Sequence, residues 1–291
     1  MMSYPHPRRT HSAPRPLHSM IAVTLISLRE TLETSLVIGM ILTILSRLDQ
    51  DRGKRFVWMG VGSGIAFSIV VAFLFHLFAA SLMHEAKEVY EGVLMLIAAA
   101  LLTWMILWMM RMGASLRASI QRDITLYALS GQSFAIFLLS FTTTAREGTE
   151  MVLFLNAAFL SAESNLHHLA GALAGITGAL LLTVLILRGS RKFSLRSFFA
   201  GTGALLILFA AGLVSHGIGE LQEAHIFTLL QTSVWDLREV LPEETLLGGI
   251  LESLIGYSDH PTVLQVSAYI LYLSGAAFCW KRIGLNRKPA Q

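Results

Sequence analysis

The stretch LRETLETS, residues 28–35, lies inside an apolar run from Met20 to about Leu45 and carries Arg29, Glu30 and Glu33 within five positions. A second apolar run holds the same pattern: AREGTEM, residues 145–151, with Arg146, Glu147 and Glu150. A charged side chain at the centre of a bilayer costs about 2.5–3.5 kcal/mol even on the mildest scales, and ionisable groups at that depth are by default functional. The repetition therefore decides how the rest of the chain is read.

Of 291 residues, 54% are hydrophobic and 14% charged, against about a quarter charged in a soluble domain. A helix needs about 20 mostly apolar residues to cross hydrocarbon. Seven stretches qualify, around 20–46, 57–83, 90–112, 132–160, 168–187, 198–215 and 263–281. The expected fold is an all-α integral membrane protein with seven transmembrane helices and no room for a soluble catalytic domain. The chain divides into a leader (1–19), a three-helix set (20–112), a cytoplasmic loop (113–131), a second three-helix set (132–216), an outer acidic loop (217–262), and a seventh helix with a basic tail (263–291). The single cysteine, Cys279, has no internal partner for a disulfide.

Lysine and arginine gather in alternate connections. Arg47, Arg52, Lys54 and Arg55 follow the first span, Arg111, Arg117 and Arg122 the third, Arg188, Arg191, Lys192 and Arg196 the fifth, and Lys281, Arg282, Arg287 and Lys288 the last. The intervening loops hold only Lys87 and Arg238. The positive-inside rule then places the N-terminal end of the first span outside and the C-terminus in the cytoplasm. The net charge of +3 is thus an orientation signal toward the lipid bilayer, and no nucleic-acid partner is expected. The leader, with Arg8, Arg9 and Arg15 on the outer side, conflicts with this orientation and lacks a signal-peptide layout. The expectation is a start at Met20, or else a short disordered tail.

Aligning SLRETLETSLV (27–37) with TAREGTEMVLF (144–154) superposes Arg29 on Arg146, Glu30 on Glu147 and Glu33 on Glu150. The motifs open two sets of three spans, and three is odd, so the second set crosses in the opposite sense. Two inverted three-helix repeats plus a seventh helix follow, an arrangement that sets substrate sites near the midplane between halves. At 100° per residue the arginine and both glutamates of each motif share one 100° arc, and Arg29 can pair with Glu33 one turn on. Two such helices face to face would offer four carboxylates to one volume, which positive charge alone can relieve. The arginines lower the formal charge and hold the carboxylates in place. The chemistry expected is metal-cation binding at Glu30, Glu33, Glu147 and Glu150, organised by Arg29 and Arg146.

These motifs resemble the oxidase-dependent iron permease family, whose members are seven-span proteins, over Met20 to about Arg282. EGVLMLIAAALLTWMILWMMR (91–111) is similar to the family's third span, and ESLIGYSDHPTVLQVSAYILYL (252–273) to its last loop and span. The resemblance implies a high-affinity iron permease of the plasma (inner) membrane, a transporter rather than an enzyme, with the four glutamates as iron ligands. It further implies ferric iron supplied by an iron oxidase or an extracytoplasmic delivery protein, and iron as transported substrate with no tightly bound cofactor. Two positions depart from the usual Arg-Glu-Gly-Leu-Glu: Thr31 replaces glycine and Thr149 replaces leucine. All-oxygen ligands suit hard cations generally, so a permease for manganese or lead is the alternative. A membrane di-iron oxidoreductase is a weaker one, since such sites use Glu-x-x-His.

An outer relay that concentrates cations is expected from Glu85, Glu88 and Glu91, from Glu220 and Glu223 between His216 and His225, and from Asp236, Glu239 and Glu252. His76 reads as a packed, hydrogen-bonded residue. GVGSG (60–64) and GALAGITG (171–178) read as small residues that let helices approach. The twelve methionines read as packing, and Trp58, Trp104, Trp108 and Trp280 as interface anchors.

Overall fold

Hydrocarbon offers a backbone amide no partner outside its own chain, and an apolar chain in lipid is therefore driven into helices. The computed structural model describes residues 17–82, 84–112, 122, 124, 126–127, 131–159, 165–188, 195–243 and 245–285. Among these lie α1 (Leu17–Arg47), α2 (Asp51–Ala80), α3 (His84–Met112), α4 (Ser133–Phe159), α5 (Asn165–Leu187), α6 (Leu195–Glu223), α7 (Leu246–Ile255) and α8 (Val263–Leu285). Leader residues 1–16, most of the 113–131 loop and the tail beyond Leu285 lie outside the described residues. Strand character among the described residues is limited to one bridge, Ser233 to Thr262.

Five helices, α2, α3, α5, α6 and α8, are long and apolar enough to cross a membrane. At 31 and 27 residues, α1 and α4 are of similar length but carry the charged motifs. The outer surfaces fit a lipid solvent. α2 buries one stripe, Gly53, Val57, Gly60, Gly64 and Ser68, while Ile69, Phe73, Leu74 and Phe78 stand exposed. Leu173, Leu180, Leu181 and Leu185 do the same on α5.

Glycines set the tightest contacts. A Cβ on Gly60 would lie 2.6 Å from Phe137 O, and one on Gly64 2.7 Å from Thr144 Cβ, so α2 lies along α4 in the same direction. A Cβ on Gly171 would lie 2.8 Å from Met20 O, and one on Gly175 2.5 Å from Thr24 O and 2.9 Å from Ser27 Cβ, so α5 lies along α1 in the same direction. Phe137 and Thr144 fall on Met20 and Ser27 under the alignment that superposes the motifs. The two helix pairs therefore meet in one register. Because α1 turns directly into α2 through Leu48–Gln50, α1 and α4 run antiparallel where they cross. α3 and α6 also run antiparallel, with Gly92 and Gly217 in mutual backbone contact and Gly203 against Ile106.

The central core gathers Ile26 from α1, Met95, Leu102, Met105 and Ile106 from α3, Phe154 from α4, Leu206 and Leu213 from α6, and Ala276 from α8. Two segments differ from the sequence expectation. α6 continues past 215 to Glu223, because Gly217 and Leu221 pack against Gly92 of α3 and that contact holds the helix through the acidic residues. The outer loop is partly helical: Thr245 caps α7 by accepting from Gly248 N, and Gly256 ends it at φ 67°. A Cβ on Gly256 would lie 2.0 Å from Gly212 Cα, which puts the tip of α7 about 16 Å down α6 from its C-terminal end. His76 is exposed on α2 rather than packed, since it sits off the glycine stripe.

Gly60→Ala is expected to force α2 away from α4, costing about 1–3 kcal/mol and lowering the melting temperature in detergent. Gly62, with no atom within 4 Å of an added Cβ, should accept alanine with no loss, and thermal unfolding of the two variants checks the contrast.

Candidate metal centre

The two motifs sit near the middle of α1 and α4, where the antiparallel helices cross. The apolar residues around them, Ile26, Leu32 and Phe154 among them, are fully buried, so the charges are enclosed by packing. Arg29 is 1% exposed and Glu30 0%. Arg29 Nη1 lies 3.3 Å from Glu30 Oε1, and Nη2 lies 3.0 Å from Glu33 Oε1. In the second copy Arg146 Nε lies 2.8 Å from Glu150 Oε1 and 3.9 Å from Glu147 Oε1. Both motifs thus make the one-turn pair that helical spacing requires.

Glu30, Glu147 and Glu150 each offer a carboxylate oxygen, and the three atoms lie within 4.8 Å of one another. One ion with oxygen bonds of about 2.0–2.6 Å can reach all three. Each of the four motif glutamates keeps a buried oxygen without a hydrogen-bond partner: Glu30 Oε2, Glu33 Oε1, Glu147 Oε2 and Glu150 Oε2. The Glu33 atom is close to Arg29 but out of line for a hydrogen bond. Glu33 stands outside the three-oxygen group, so the structure does not bring all four carboxylates together with equal closeness. Unsatisfied carboxylate oxygens this deep are costly, and a cation among them removes the cost.

The two arginines are held differently, both by one turn of α3. Arg29 Nη1 donates to Met105 Sδ at 3.6 Å and Nη2 to Met109 Sδ at 3.7 Å. Arg146 lies with Cζ 5.5 Å over the Trp108 ring, and its side chain is 52% exposed. Sequence reasoning took these methionines as packing and Trp108 as an interface anchor. Their spacing of three and four residues on one helix face was the available signal, but nothing in α3 alone says which charges it meets.

The departures from the family pattern are absorbed locally. Gly148 is backed by Ser68 of α2, whose Oγ would lie 2.1 Å from an added Cβ. Its counterpart Thr31 has no such glycine, and in that half the close approach comes from Gly171 and Gly175 of α5. Thr149 bonds back to Ala145 O at 2.6 Å.

Among the described residues, the expected outer residues stand in different surroundings. Glu91 is mostly buried and paired with Lys87 at 3.6 Å. Glu88 and Glu220 are half-buried, Glu223 and Glu239 exposed, and the Glu85 side chain lies outside the described residues. Asp236 is paired with Arg238, whose hydrogen bonds pull its carboxyl down to about 2. Glu252 is half-buried, and desolvation with the neighbouring Glu243 and Asp259 pushes it up to about 8. A further group, Glu243, Asp259 and His260, offers three ligand atoms within 4.8 Å. Its carboxylates staple the loop: Glu243 N donates to Asp259 Oδ2 at 3.3 Å and Asp259 N to Glu243 Oε1 at 3.0 Å. These residues, sixteen apart in sequence, meet only through the fold around α7.

The sequence pattern of the iron permease FTR1 family matches residues 20–283. A ferrous iron permease EfeU of Yersinia pestis is 32% identical over 256 residues, covering 87% of this chain and 90% of its own. The protein of that name from Yersinia pseudotuberculosis serotype I is 32% identical over 251 residues, covering 86% and 88%. The one from Escherichia coli O6:K15:H31 is 29% identical over 256 residues, covering 87% and 92%. No solved structure matches. A family pattern that spans nearly the whole helical chain, motifs included, settles the class: the chain belongs to the iron permease FTR1 family and is a multi-pass membrane transporter of iron, not an enzyme.

Proposed function

We propose that this protein is a high-affinity permease that carries iron across the plasma membrane into the cytoplasm through a buried site built from Glu30, Glu33, Glu147 and Glu150. The observation that carries the reading is the convergence of Glu30, Glu147 and Glu150 oxygens from two antiparallel helices within 4.8 Å, each glutamate keeping a free buried oxygen. In this reading α1 and α4 also span, which makes seven crossings with the N-terminal end outside and the C-terminus inside. The shared register of α2 on α4 and α5 on α1 supports two inverted three-helix repeats, with α8 outside them.

The chemistry follows from charge. Four carboxylates and two guanidiniums leave a formal −2 in a low-dielectric setting, which favours a multivalent cation. Glu30, Glu147 and Glu150 bind the ion, and Glu33, held by Arg29, joins as the halves shift. Arg29, clamped by Met105 and Met109, is the fixed arm. Arg146, half-exposed over Trp108, is the movable one, and the ion's route runs past it. Iron arrives as the ferric ion from an oxidase or an extracytoplasmic delivery partner. The curated relatives are named for ferrous iron, so the oxidation state at the transport step is the first thing to control.

Glu30→Ala and Glu147→Ala are each expected to cut iron uptake into proteoliposomes by more than about tenfold, since even outer-shell changes at metal sites cost about 10–100-fold, with the protein still inserted. Uptake run in parallel under ascorbate and with ferric citrate, with manganese and lead as competitors, reads the oxidation state and the metal; ferrous-only uptake removes the oxidase from the scheme. Trp108→Leu should raise the KM for iron by about two- to thirtyfold through loss of the ring face under Arg146. Trp108→Phe, which keeps a ring, should recover most of it, and initial-rate kinetics of both variants decide.

A further inference from the structure

The hydroxyls of α1 and α4 mostly bond back to their own helix. Thr24 Oγ1 donates to Met20 O at 2.6 Å, Thr34 to Glu30 O at 3.1 Å, Ser140 to Ile136 O at 2.9 Å and Thr149 to Ala145 O at 2.6 Å. Ser27 Oγ and Thr144 Oγ1 do not: both are buried and neither has a hydrogen-bond partner. Ser27 is 0% exposed and Thr144 6%. A buried polar atom left alone is uncommon and costly, and a missing ion or water is a standing explanation.

Their positions are equivalent. Each lies two residues before the motif arginine and three before the first glutamate. Residues three apart are neighbours on a helix face, so each hydroxyl stands one turn from a glutamate that itself keeps a free buried oxygen, Glu30 or Glu147. Each also backs onto a glycine of the partner helix, Ser27 on Gly175 and Thr144 on Gly64, where no side chain can supply a partner. Because α1 and α4 are antiparallel, Ser27 lies about 4.5 Å from Glu30 toward one membrane face, and Thr144 the same distance from Glu147 toward the other.

We infer that Ser27 and Thr144 are further oxygen donors on the cation's path, one on each side of the carboxylate site. This rests on the transport reading above. A serine or threonine hydroxyl has two acceptor lone pairs and no charge. It can take over part of an ion's coordination without holding it as a carboxylate does, and passage requires steps weak enough to leave. The carboxylates give the site its affinity; the flanking hydroxyls let the ion step in and out.

The test uses Ser27→Cys and Thr144→Cys, each in a Cys279→Ser parent so that the introduced thiol is the only one, with cadmium as probe during iron uptake into proteoliposomes. A thiol is a soft donor that favours cadmium over the hard hydroxyl's preferences. Cadmium should inhibit each variant at a concentration lower by about tenfold or more than it needs in the parent, and excess iron should protect. In a second arm, Ser27→Ala and Thr144→Val should raise the KM for iron at least severalfold while the melting temperature holds or rises, because the removed hydroxyl had no protein partner. Equal cadmium sensitivity in parent and variants, with unchanged KM in the second arm, overturns the two donors while leaving the permease reading in place. A parent that moves no iron overturns the permease reading and this inference with it.

Discussion

Arg29, Glu30 and Glu147 are buried away from solvent, and the elements around them neutralise or enclose their charge together with Glu33, Arg146 and Glu150. Glu33 is held by Arg29 at 3.0 Å and Glu150 by Arg146 at 2.8 Å. Those pairs form within one helical turn and need no tertiary partner. The remaining buried carboxylate oxygens have no hydrogen-bond partner among the described residues, and oxygens of Glu30, Glu147 and Glu150 come together only when α1 and α4 cross. A buried pair is weak evidence for stability, since the desolvation cost offsets the attraction. A buried excess of acid with unpartnered oxygens is a different matter: it is the feature on which the proposed cation site rests, and it fits a family of iron permeases.

The packing around the crossing encloses that excess. While the charged faces of α1 and α4 meet, each helix is also packed closely along one flank, and glycine makes that approach possible. Gly60 and Gly64 bring α2 against the flank of α4 that holds Thr144, and Gly171 and Gly175 bring α5 against the flank of α1 that holds Ser27. Without a hydrophobic drive between helices in lipid, close backbone approach is a main source of association. The outer faces of α2 and α5 are then free to be largely apolar, with Ile69, Phe73, Leu74 and Phe78 exposed on α2 beside His76, and Leu173, Leu180, Leu181 and Leu185 on α5. The asymmetry between halves comes from α3, which encloses Arg29 with two thioethers and gives Arg146 a single indole face. The result is unequal surroundings for the two arginines, Arg29 at 1% exposed and Arg146 at 52%.

Much of this was legible in the residues. The helices fall where apolar runs of about 20 residues stand, because crossing length follows from bilayer thickness. The arc shared by Arg29, Glu30 and Glu33 follows from helical geometry, and so does the one-turn ion pair. The glycine stretches were readable as points of close approach. What was not readable involves partners far along the chain: Met105 and Met109 on Arg29, Trp108 under Arg146, and Glu33 left out of the tight oxygen group of the other three glutamates. The short helix inside the loop after α6 was unreadable for the same reason. LLGGILESLI (246–255) is too short to span and reads as loop among acidic residues, and only the Gly212 and Gly256 backbone contact explains why it folds down along α6.

By itself the sequence determined that this chain lives in a membrane, where its helices lie, that two of them carry matching charged arcs, and to which family it belongs. These are properties of composition and of spacing along one helix, set by hydration and by 3.6 residues per turn. The tertiary structure decided which carboxylates share a pocket, which arginine is enclosed and which is open, and that Ser27 and Thr144 are left without partners. Each depends on where a second helix places its own side chains, and distances of a few ångströms between elements far apart in the chain are written in no local pattern.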